Sequence, residues 1–177
     1  MIRILIVFCS FLLIQEEPVL SWSESYKLSW TDFKGSPNLQ DSAVAVTASG
    51  ISFGYSIKQT NNEVTNFSTQ VHAHFYPEQS WYKPDRAGIH VLNHEQLHFD
   101  ITELHARKLR YEINKLKITN HVKSELKTLQ KTINLELKNT QNKYDLETNF
   151  SRNIEAQAQW KAYIAQELKK FSKYKSN

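Results

Sequence analysis

The chain has 177 residues, 40% of them hydrophobic and 23% charged, with a formal net charge of +4 and a single cysteine. That length suits one globular domain with a real core. The lone Cys9 excludes an intramolecular disulfide and any Cys-rich zinc site, so a metal centre here must be built from His and carboxylates. Lys117, Lys123, Lys127, Lys131, Lys138 and Lys143 are interleaved with Glu125 and Glu136, the pattern of solvated helix faces. No run of five like charges and no RNA-binding aromatic signature is present, so nucleic acid is not an expected partner.

Ile4 to Ile14 is an apolar run, preceded by Arg3 and ended by Gln15-Glu16-Glu17-Pro18. It is too short to span a bilayer core as a helix but suits the apolar region of an export signal. The expectation is a signal peptide over residues 1–21, cleaved after Ser21, and one mature domain over 22–177 with no membrane span. Such a protein is periplasmic or secreted. Lipid anchoring through Cys9 is disfavoured, because the bulky Phe8 precedes it.

From Trp22 to about Trp81 the pattern is that of strands. Ala43 to Thr47 and Ile51 to Ile57 are β-branched, small and aromatic runs separated by Gly50. Gly35-Ser36-Pro37 marks a turn. Val64 to Tyr76 alternates near its end, with Val71, Ala73 and Phe75 on one face and His72, His74 and Tyr76 on the other, before Pro77 stops it. From about Ala87 the pattern turns helical. One helix is expected to reach about Leu116, its polar face carrying Gln96, Asp100, Glu103, Arg107 and Arg110. A second starts near Asn120 and a third near Ser151. The expected class is α+β: N-terminal antiparallel strands followed by a bundle of about three helices, zincin-like.

The first helix contains His94-Glu95-Gln96-Leu97-His98, an H-E-x-x-H motif. Two His four residues apart share one helix face and can chelate one ion. Glu95 points about 100° away, where it can act as general base on a water held by the metal. Zinc requires a third protein ligand and an open position. Asp100 and Glu103 are out of phase with His94 and are expected to form a solvated ladder with Arg107. His105 is too far along the axis, and is read as packed or surface-exposed. If the second helix returns antiparallel to the first, its end reaches the level of His94 and His98. It would bring Tyr144-Asp145-Leu146-Glu147-Thr148 there, offering Asp145 or Glu147 as ligand and Tyr144 as an oxyanion donor. His72 and His74 on the last strand are the rivals for the third position.

The chain resembles an uncharacterised family of exported bacterial proteins, the domain-of-unknown-function 922 family, expected to be zinc-dependent proteases. The resemblance rests on Leu28-Ser29-Trp30-Thr31-Asp32-Phe33-Lys34-Gly35, Ser80-Trp81, His94 to Asp100, Ala106-Arg107-Lys108-Leu109, Tyr144-Asp145 with Thr148, and Gln159-Trp160. It implies a fold and a site more than a substrate, and it favours Asp145 as third ligand. The family pattern has a His two residues after that Thr, where this chain has Phe150. The function these features imply is a zinc metallopeptidase, with His94, His98 and Asp145 on Zn2+, Glu95 and Tyr144 catalytic, and a peptide or protein substrate. The alternative is a non-catalytic zinc-binding or cell-envelope interaction protein that retains the fold. The sequence leaves the oligomeric state open.

Overall fold

A computed structural model describes residues 17–176, so the Ile4–Ile14 run and most of the expected signal segment lie outside the described residues. The architecture is α+β, with antiparallel strands first and three helices after them. The strands are β1 (Leu20–Ser21), β2 (Ala45–Val46), β3 (Ser49–Thr60), β4 (Glu63–Phe75) and β5 (Trp81–Tyr82). The helices are α1 (Ile89–Ile113), α2 (Val122–Glu147) and α3 (Ile154–Lys170). One antiparallel sheet has the order β1-β4-β3, and β2 pairs with β5 in a second. None of the described helices is long and apolar enough to cross a membrane.

The β3–β4 hairpin turns at Asn61 and Asn62, with φ of 51° and 65°, a left-handed conformation that Asn tolerates and that matches strand twist. Alternation along β4 then sets its faces. Val71, Ala73 and Phe75 are buried, and Phe75 meets Phe99 of α1 with ring centroids 5.8 Å apart. His72 and His74 project from the opposite face. Gly50 does not separate two strands as expected; it lies inside β3, paired with His74. A Cβ there would sit 3.6 Å from the Tyr76 ring, in ordinary contact. Gly35 is a different case, since a Cβ would meet the Glu78 carbonyl oxygen at 2.7 Å. Only glycine lets its N–H donate to the Ser80 carbonyl at 2.8 Å, tying the 35–37 turn to the segment before β5.

Helix α1 is the centre of the molecule. Phe99, Ala106 and Leu109 pack with Phe75 of β4 and Leu126 and Ile133 of α2. Leu97, Ile101 and Leu104 pack instead with Leu137 and Tyr144 of α2 and Trp160 and Ile164 of α3. Helix α2 returns antiparallel. His105 Nε2 lies 3.2 Å from Thr140 Oγ1, and His94 Nε2 lies 3.0 Å from Asp145 Oδ1. At about 1.5 Å per residue, helices of 25 and 26 residues match in length, which brings the end of α2 level with the start of α1.

The polar face of α1 is buried, contrary to the expected solvated ladder. Asp100 accepts from Trp22 Nε1 at 2.7 Å and from Gln96 Nε2 at 2.9 Å, and burial raises its carboxyl above the usual range against those two bonds. Glu103 is fully buried. It accepts from Arg107 Nε at 2.8 Å and Arg110 Nη1 at 3.3 Å, and from the backbone N–H and hydroxyl of Ser176. Arg107 donates onward to the Leu168 carbonyl, and Arg110 to the carbonyls of Val71 and Tyr174. The C-terminal segment thus covers what would otherwise be a charged helix face. His105 is packed rather than exposed, and burial lowers its pKa to about 4.

Glu103→Ala leaves the buried Arg107 and the part-buried Arg110 without their carboxylate and is expected to cost about 3–5 kcal/mol in urea unfolding. Glu112→Ala, which removes only the exposed Lys115 pair, is expected to cost less than about 1 kcal/mol. Equal small losses for the two variants would contradict this role for Glu103.

Candidate metal centre

His94 and His98 stand one turn apart near the start of α1, and Asp145 reaches them from the last turn of α2. His94 Nε2 and His98 Nε2 are 3.1 Å apart, and Asp145 Oδ1 lies 3.0 Å from the first and 2.9 Å from the second. These three are the group of potential metal-ligating side chains that converges among the described residues. Tetrahedral ligands about 2.0–2.2 Å from a zinc ion sit roughly 3.3 Å from one another, so the spacing is close to that of a zinc site.

Proton bookkeeping shows why a cation fits. Gln141 Oε1 hydrogen-bonds His98 Nδ1, while Gln141 Nε2 donates to the His98 carbonyl at 3.1 Å and to Thr102 Oγ1 at 3.3 Å. With Nδ1 the donor in that bond, neutral His98 presents a bare lone pair at Nε2, towards a carboxylate and a second imidazole. Such a cluster holds together only with a proton on a ring nitrogen facing the carboxylate, or with a cation in that proton's place. The electrostatics agree. Burial pulls the His98 imidazole down, but the Asp145 hydrogen bond and the charges of Glu95 and Asp145 raise it above the ordinary histidine value. Burial opposes ionisation of Asp145, yet the two imidazoles set against its carboxyl hold it well below the usual range. His94 Nδ1 is buried without a partner among the described residues. Two imidazole nitrogens and one carboxylate oxygen form a donor set suited to zinc and leave its fourth position open.

The donors open on a cleft of about 580 Å³. Its walls are the segment 41–47, including β2, together with Arg86, His90, Val91 and the turn 149–152 after α2. Glu95 lines it too, and its carboxylate makes no hydrogen bond among the described residues. Thr47 Oγ1 donates to the Glu95 carbonyl at 3.3 Å, tying the strand side of the cleft to the helix.

Of the expected site residues, His94, Glu95, His98 and Asp145 come together. Tyr144 does not face the cleft. It is fully buried, its ring stacks on His94 at 4.4 Å and meets His98 edge-on at 5.0 Å, and its hydroxyl donates to the His94 carbonyl at 3.4 Å. Burial, reinforced by the charges of Glu95 and Asp145, pushes its pKa above the usual phenol range, so it stays protonated. Asp145 addresses the cleft, while the Tyr144 ring, about 100° away around α2, packs into the core with Leu97, Leu104 and Trp160. Glu147 is occupied elsewhere, accepting from Trp160 Nε1 at 2.8 Å. His72 and His74 stack on each other on the sheet face away from α1 and take no part. Gln141 was not anticipated from sequence. Its signal was its position one turn before Asp145, on the same face of α2.

The turn after α2 is strained. Asn149, Phe150 and Ser151 have φ of 47°, 52° and 72°, and none is glycine. Asn149 tolerates this conformation, whereas it costs Phe150 and Ser151 about 1–2 kcal/mol each. The turn is held by the Phe150 N–H donating to the Asp145 carbonyl and the Asn153 N–H to the Thr148 carbonyl, both at 2.8 Å. Phe150 lines the cleft and supplies no ligating atom.

Gln141→Ala should weaken zinc affinity by about 10–100-fold, because the bond that fixes the His98 tautomer and ring plane is lost. Competition titration with a chromogenic chelator measures this. Unchanged affinity would remove Gln141 from the account.

No curated protein and no solved structure matches the chain. A family model does match, over residues 31–153, a span that takes in the cleft strand, the whole of α1 and α2, and all three converging donors. The chain therefore belongs to the family described as bacterial protein of unknown function, DUF922.

Proposed function

We propose that the protein is a zinc-dependent hydrolase acting on peptide bonds. The observation that carries this reading is the convergence of His94, His98 and Asp145 at 2.9–3.1 Å beside the unengaged Glu95 carboxylate in one cleft. When bound, zinc supplies Lewis acidity, polarising a carbonyl and acidifying water. Glu95 takes the proton from the attacking water and returns it to the departing amine, so its carboxylate serves as base and then as acid. Asp145 and the two imidazoles hold the ion, and Gln141 fixes the His98 tautomer. Tyr144 acts as a positioning residue, keeping both imidazole planes in place through its buried ring. With Ile4–Ile14 read as an export signal, the protein works outside the cytoplasm.

Purified wild type should hold about one zinc per chain and lose it in His94→Ala, His98→Ala and Asp145→Ala. Glu95→Gln should retain zinc yet hydrolyse a peptide library at least about 100-fold more slowly. Elemental analysis and library digestion read the two arms. Zinc present with no hydrolysis in wild type would leave a non-catalytic zinc protein, and equal metal in all variants would remove the site.

A further inference from the structure

We propose that Phe150 selects the substrate, forming with Val44, Val46 and Val91 an apolar subsite for an aromatic or branched aliphatic side chain beside the bond presented to the His94–His98–Asp145 centre. This rests on reading the cleft as a peptide site.

Phe150 is 55% exposed, whereas the other phenylalanines on the strands and on α1 are wholly or partly buried. It stands on the one run of three consecutive left-handed residues among those described. An exposed aromatic ring makes no contribution to the core that would offset such a backbone. Strain retained at a cleft wall is the mark of a side chain aimed for a purpose outside the fold. The turn is not free to swing away, because the Phe150 N–H is bonded to the carbonyl of Asp145, whose side chain belongs to the donor group. The backbone that carries the ring is therefore fixed relative to the centre. Val44 and Val46 are half-buried on the strand side of the same cleft, and Val91 is buried one turn before His94 on α1. The four residues come from a strand, a helix and a turn, and all line the cleft that holds the polar donors. An apolar side chain leaving water to pack there gains affinity of about tenfold over alanine.

The test uses the full zinc-loaded domain carrying Glu95→Gln, which binds without turnover, and blocked alanine-based heptapeptides with a central Phe, Leu or Ala. Anisotropy titrations should show the Phe and Leu peptides binding about tenfold more tightly than the Ala peptide. Adding Phe150→Ala should reduce that ratio to about threefold or less at unchanged zinc content, and Phe150→Leu should keep most of it. Equal binding of all three peptides, no binding of any, or a preference that survives Phe150→Ala would overturn the proposal. The hydrolytic reading fails separately. Wild type that digests peptides without preference leaves hydrolysis standing and the subsite refuted, and a Phe150-dependent preference with no digestion does the reverse.

Discussion

Two imidazole nitrogens and a carboxylate oxygen within 3.1 Å of one another stay together only with a proton or a cation among them, and the cleft is organised around that constraint. Two of the atoms come from α1 and the third from α2, so they meet only because the two helices run antiparallel and match in length. The layers behind them hold the arrangement in place. Tyr144 backs both imidazoles, Gln141 clamps one of them, and Thr102 links the His98 carbonyl to Ser49 at the start of β3. The cluster is thereby kept from relaxing by rigid neighbours, the arrangement that a preorganised ion site requires.

The same helix serves two incompatible demands. One side of α1 faces a polar cleft, while its opposite side carries Asp100, Glu103, Arg107 and Arg110 into the interior. Buried charges are tolerable only when fully paired. Here Glu103 pairs with Arg107 and Arg110 on α1 itself, and distant chain supplies the remaining hydrogen bonds: Trp22 ahead of the hairpin, and the C-terminal residues Leu168, Tyr174 and Ser176. Both ends of the described chain therefore fasten α1 from behind, and the cleft in front is free to carry residues chosen for chemistry.

The parts of this design with local signatures were legible in the sequence. The β4 alternation, the helical periodicity and the H-E-x-x-H spacing each fixed a face, and helix length then pointed to the segment holding Asp145. What lacked a local signature was misread. Glu103 looks solvated because its partners include Ser176, 73 residues away. Tyr144 looked like a catalytic donor because it neighbours Asp145, yet helix phase turns it inward. Gly50 resembled a strand boundary, although an extended backbone accepts glycine. The left-handed turn at 149–151 has no glycine to announce it.

The most direct test is a crystal structure of the zinc-loaded protein with anomalous data collected at the zinc edge. The account predicts one peak about 2.0–2.2 Å from His94 Nε2, His98 Nε2 and the Asp145 carboxylate, with Glu95 beside it and not bonded to it. A peak at His72 and His74, or Glu95 or Glu147 in place of Asp145, would contradict it.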